Sequence, residues 1–176
     1  VSIPHMPSPL PAGQRRLAMG VFFFSGFTAL AYEILWTRLL PLYLETSMYA
    51  FSFMLATFLA GIAGGGWLAG RVKAPWHQPM MSFGVMEIAV GVAAIVGFFL
   101  FPGFDSAADS GAAWAVRILS GLVTVLPAAV IFGWMFPVAV RCCASESSGP
   151  GKLTGAAYSI NAAGTILGAA VTGFLL

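Results

Sequence analysis

Charge is what this sequence has least of. Asp, Glu, Lys and Arg make up 8% of the 176 residues, where soluble domains carry about 25%. That supply cannot cover the surface of a soluble globule. Eight Lys and Arg against six Asp and Glu leave a net charge of +2. No basic run or aromatic-basic patch accompanies it, so no nucleic-acid partner is expected. Cysteine is nearly absent too: Cys142 and Cys143 are adjacent. Without a CxxC pair or a Cys/His cluster, no metal site is expected. The pair reads as two thiols at a helix end, with reversible acylation as the sharper alternative. The two histidines, His5 and His77, lie outside every long apolar run. A Ser/His/Asp or Cys/His catalytic set is thereby excluded, and no catalytic residue is assigned. The glycine-rich stretch GGGWLAGR closes an apolar segment instead of opening a helix after a strand. It is neither a phosphate-binding loop nor a dinucleotide fingerprint, and no cofactor is expected.

What remains is apolar. Hydrophobic residues make up 59% of the chain, and the mean hydropathy is +0.91. A membrane-spanning helix needs about 20 mostly apolar residues. Five segments qualify: Leu17 to about Tyr43, Met48–Gly70, Met80–Phe101, about Ala112 to Val140, and Gly155–Leu176. Pro41, Pro79, Pro102 and the Gly149-Pro150-Gly151 turn punctuate them. The expected fold class is all-α, a polytopic integral membrane bundle of about five helices. Residues 1–16, rich in Pro and polar groups, are expected to be a flexible or interfacial lead-in. The apolar run after Arg15 and Arg16 is longer than a signal core and reads as a retained helix. The last apolar run reaches Leu176, so the chain reads as a fragment or as ending abruptly in its last helix.

Loop charge alternates. Arg15 and Arg16, then Arg71 and Lys73, then Arg141 and Lys152 fall on one side; Glu45, Asp105 and Asp109 fall on the other. The positive-inside rule places the N-terminus in the cytoplasm, in a multi-pass protein of the inner (plasma) membrane. Trp76 and Trp114 are expected at the interfaces. Small residues at four-residue spacing mark close helix packing: Gly61/Gly65, Gly66/Gly70 and Gly164/Gly168. Plain bundle packing is the simplest use for them, and an oligomer seam is another.

Four charged residues and one amide fall inside the spans: Glu33, Arg38, Glu87, Arg117 and Asn161. A charge at the bilayer centre costs at least ~2.5–3.5 kcal/mol, so each must be paired, neutralised or turned to a polar cavity. In AYEILWTRLLP, Glu33 and Arg38 sit roughly 140° apart on a regular helix and cannot pair. Trp36 and Thr37 share the face of Glu33. Glu33 with Arg117 is the expected inter-helix pair, and Arg38 is expected to snorkel outward. Glu87 is expected to take a hydrogen bond or a proton, and Asn161 a hydrogen bond across helices. Read as structure, these residues specify the bundle. Read as function, they line a polar cavity for a small cation or a proton path.

Three stretches together resemble the membrane half of bacterial spermidine synthase-like (fused transporter/spermidine synthase) proteins: SGFTALAYEILWTRLL (Ser25–Leu40), FGWMFPVAVR (Phe132–Arg141) and GAAYSINAAGTILGAAVTGFLL (Gly155–Leu176). The matching residues are Gly26, Tyr32, Glu33, Trp36, Arg38, Pro137, Tyr158, Asn161, Gly164, Gly168 and Gly173. The resemblance implies a multi-helix membrane domain preceding an aminopropyltransferase domain. That catalytic half is not in this sequence, so the chain alone is not expected to be an enzyme. The resemblance implies instead a domain that binds a small amine or polyamine, with Glu33, Trp36, Arg38, Glu87, Arg117 and Asn161 as polar-cavity candidates. A structural accessory subunit, partnered by other membrane subunits or by copies of itself, is the alternative. A half-transporter-like fragment is a further one, because GGGWLAGR is similar to a major facilitator loop motif, though without its Asp.

Overall fold

The computed structural model describes residues 11–44, 47–71, 79–107, 113–142 and 150–175. Five helices follow in order: α1 (Ala12–Leu44), α2 (Ser47–Arg71), α3 (Pro79–Ala107), α4 (Ala113–Cys142) and α5 (Pro150–Leu175). All five are long and apolar enough to cross a membrane. The chain is thus an all-helical, multi-pass bundle. The expected spans are all present, and most helices outrun them. Helix α1 starts at Ala12, not Leu17, so the expected flexible lead-in ends earlier. The Arg15 amide already donates to the Pro11 carbonyl at 3.0 Å. Pro79 and Pro150 open α3 and α5, where a missing N–H costs no bond. Helix α1 passes through Pro41 and ends at Leu44, one turn later. Helix α4 continues through Pro127 and Pro137.

Cross-helix contacts give the topology. On α5, Gly164 and Gly168 lie against the backbone of Phe23 and Phe27 on α1. Both pairs advance by four residues in the same sense, so α1 and α5 are parallel. On α2, Gly61 faces Ala129 and Gly65 faces Val130 and Trp134 of α4, so α2 and α4 are parallel too. Ser25 meets Met135 and Tyr32 meets Thr124, so α1 and α4 are antiparallel. Arg15, Arg16, Arg71 and Lys152 therefore share one end of the bundle, here the basic end.

The glycines explain the pairings. A Cβ at Gly65, Gly133, Gly164 or Gly168 would strike the backbone of the neighbouring helix, and without one the axes close up. Close packing of this kind drives association where lipid removes the hydrophobic term. The expected Gly66/Gly70 pair divides. A Cβ at Gly66 would lie 3.7 Å from the Gly133 carbonyl oxygen, an ordinary contact, and one at Gly70 would meet nothing within 4 Å among the described residues. Gly70 is not a packing residue here. Gly133, set against Ile62, takes that role from the opposite helix.

Two apolar clusters fill the interior. One, at the basic end, gathers Phe22, Phe83, Met135, Val138 and Cys142. The other, toward the far end, gathers Trp36, Leu40, Met54, Phe58 and Val125. Large apolar side chains such as Phe24, Ile88, Phe99, Ile166 and Phe174 point outward, as lipid-facing positions do. Trp67, also outward, stacks under the Arg71 guanidinium at 3.8 Å at the basic end. This is an interfacial anchor the sequence reading missed. Trp76, Lys73, Glu45, Asp109, Cys143 and both histidines lie outside the described residues, as do the side chains of Trp114, Asp105 and Arg141.

Candidate functional site

Between the two clusters lies a part-open cleft of about 240 Å³. Four helices build it, each with residues a turn apart on one face, as helical geometry requires. Helix α1 supplies a stripe from Phe22 through Ser25 and Ala29 to Glu33, with Leu30 beside it. Helix α2 supplies Phe58 and Ile62, α4 supplies Phe132 and Phe136, and α5 supplies Asn161 and Thr165. Helices α2 and α5 make no contact with each other. The cleft is the gap they leave across α1.

Of the six polar-cavity candidates, the structure brings Glu33 and Asn161 into this cleft. Neither side chain has a hydrogen-bond or ion-pair partner among the described residues. Asn161 is held in place by close packing, its side chain against Gly26 of α1. The other four candidates do not line the cleft. Trp36 is 1% exposed and stacks edge-on to Tyr32 at 6.0 Å within the far cluster. Arg38 donates to the Gly173 carbonyl at 2.9 Å. That carbonyl belongs to α5 (Pro150–Leu175), so the guanidinium ties α1 to α5.

Glu87 lies behind the cleft. The Ser25 hydroxyl is within hydrogen-bonding reach of its carboxyl, and Glu87 Oε1 is buried without a hydrogen-bond partner among the described residues. Ser25 Oγ also donates to Met135 Sδ at 2.9 Å. One side chain thus touches α3, α4 and the cleft. The Tyr32 hydroxyl donates to the Thr124 carbonyl at 2.8 Å. Thr124 precedes Pro127 by three residues, in the turn that a proline disrupts.

The expected Glu33–Arg117 ion pair is not formed among the described residues. Depth is the reason. Tyr32 is level with Thr124, and Arg117 is seven residues beyond it, about 10 Å farther from the basic end. Gly121, one turn short of Arg117, already lies beside Leu40. The alternative of acylation does not suit Cys142, which is 0% exposed.

Sequence reasoning missed Ser25, Thr165 and the four cleft phenylalanines. A signal was present: Thr165 follows Asn161 by four residues, and Phe22, Ser25 and Ala29 form the stripe that leads to Glu33. No family model, no curated protein and no solved structure matches this chain.

Proposed function

We propose that this chain is the membrane-embedded domain of a spermidine synthase-like protein, non-catalytic by itself, whose cleft binds a small amine. The convergence of Glu33 and Asn161 carries the reading. The two residues come from the first and third stretches of the resemblance, 128 positions apart, and both present unspent polar capacity to one cavity. An ionisable group kept inside a membrane span without a protein partner favours a functional reading over a purely structural one. A carboxylate and an amide oxygen lining one cleft suit an ammonium group, which needs acceptors. The setting is the inner membrane with the basic end toward the cytoplasm, by the charge rule.

The accessory-subunit alternative is favoured by the small size of the chain, by the lack of a catalytic set and by the glycine faces. Gly61, Gly65, Gly164 and Gly168 are spent inside the bundle, which removes the last of these arguments. The test is thermal unfolding of the purified chain with a panel of monoamines and polyamines. At least one amine should raise the midpoint of the parent and of Glu87→Gln, and fail to raise that of Glu33→Gln. No stabilisation by any member removes the reading.

A further inference from the structure

The cleft is polar at few points, and fewer still are open to a ligand. Of its eleven lining residues, four are phenylalanines, and Ser25, Glu33, Asn161 and Thr165 carry the polar side-chain atoms. Two of those four spend their protons within the protein. Ser25 Oγ donates to Met135 Sδ at 2.9 Å, and Thr165 Oγ1 donates to the Ala162 carbonyl at 2.8 Å. What is left is one carboxylate and one amide, against walls formed by Phe22, Phe58, Phe132 and Phe136.

We propose that the cleft selects an amphiphilic monoamine over a polyamine. A single ammonium group sits at Glu33, Asn161 is a further acceptor of the lining at the level of Gly26, and an apolar body fills the phenylalanine-lined remainder. This rests on the amine reading above and narrows its substrate class. Charge count is the argument. A polyamine carries its further ammonium groups a few methylenes away, where the lining offers no second carboxylate. Glu87 does not supply one, because it reaches Ser25 from the α3 side and is not part of the lining. An unpaired charge among apolar walls at membrane depth is strongly disfavoured. One ammonium beside a carboxylate and ring faces is compatible with both ion pairing and cation–π attraction. Size agrees. A volume of about 240 Å³ matches about eight waters at ~30 Å³ each, room for one ring and a short alkyl amine.

The test uses the whole chain in lipid nanodiscs and three probes: phenethylamine, its neutral analogue phenethyl alcohol, and spermidine. Calorimetric titration and thermal midpoint are both read. The expected result is binding of phenethylamine, loss of about tenfold or more in affinity in Glu33→Gln, and no binding of the alcohol or of spermidine. Should Glu33→Gln fail to fold, Ile62→Trp keeps the carboxylate and fills the cleft from α2, and it should block phenethylamine equally. Binding of spermidine in preference to phenethylamine overturns this inference and leaves the amine site standing. Equal response to phenethylamine and the alcohol, or an unchanged response in both variants, means partition into lipid and overturns it as well. Silence from all three probes, with no other amine active in the panel above, removes the amine reading itself.

Discussion

Replacing Gly65 by Ala and Gly70 by Ala makes the same chemical change in one helix, five residues apart, and the structure assigns the two opposite outcomes. A Cβ on Gly65 would land on the Val130 carbonyl oxygen, with the Trp134 amide nitrogen 2.9 Å away. Both obstacles are backbone, so no side-chain rotation relieves them. Helices α2 and α4 must separate along the seam that also holds Gly61 and Gly133. Overpacking of this kind costs about 1–3 kcal/mol, offset by up to ~1 kcal/mol from the better helix propensity of Ala. Gly65→Ala should therefore destabilise by up to about 3 kcal/mol, and the propensity gain, being common to both variants, cancels in the comparison. A Cβ at Gly70 meets no atom within 4 Å among the described residues, and only the propensity gain remains, about 0–1 kcal/mol stabilising. The two variants should differ by about 1–3 kcal/mol, or roughly 5- to 150-fold in the unfolding equilibrium. Reversible unfolding in mixed micelles, driven by a denaturing detergent and followed by circular dichroism, measures this directly. If Gly70→Ala costs as much as Gly65→Ala, the four-residue glycine motif and not the observed seam governs packing, and the α2–α4 register described here is wrong.

Two further outcomes test other contacts. Tyr32→Phe removes the hydroxyl that donates to the Thr124 carbonyl at 2.8 Å, and should cost ~0.6–1.5 kcal/mol in the same unfolding assay; a neutral result would mean that carbonyl finds an equal partner elsewhere. In a Cys143→Ser background, Cys142, buried at 0% exposure, should resist maleimide labelling in the native bundle and react fully once unfolded; rapid native labelling would contradict the packing of the basic-end cluster.

The spans were legible because twenty apolar residues between loops of alternating charge leave few other arrangements. Partners were not legible, because a helix sequence shows a face without showing what meets it. Gly66/Gly70 and Gly61/Gly65 have the same spacing, and only the position of α4 decides which pair is used. Depth failed for a related reason. Counting inward from expected helix ends allows Arg117 any depth from Glu33 to Arg38, while the register set by Ser25 against Met135 and Tyr32 against Thr124 puts it at the Arg38 end. At Pro41 α1 continues one more turn to Leu44, close to the expected end at about Tyr43. The cleft itself could be read only in part. Its acids and amides stand out in an apolar sequence, but a phenylalanine that walls a cavity looks like one that faces lipid.

The polar residues of α1 then sort themselves by where each finds satisfaction. Ser25 turns to Met135 on α4 and to Glu87 on α3. Tyr32 turns to Thr124 on α4. Arg38 turns to the end of α5, and Thr37 to its own helix through the Ile34 carbonyl at 2.7 Å. Helix α1 touches all four of the others, so every direction around it is available. Glu33 alone among these has no hydrogen-bond or ion-pair partner among the described residues, and it lines the cleft. A residue kept only to specify the bundle would be expected to find its partner in the bundle, as its neighbours do. The one that does not is a carboxylate facing a cavity, and a carboxylate in that position is satisfied by a proton or by a cation brought from outside the chain. That is why Glu33, and not the other charged groups of the spans, is the residue on which a binding experiment turns.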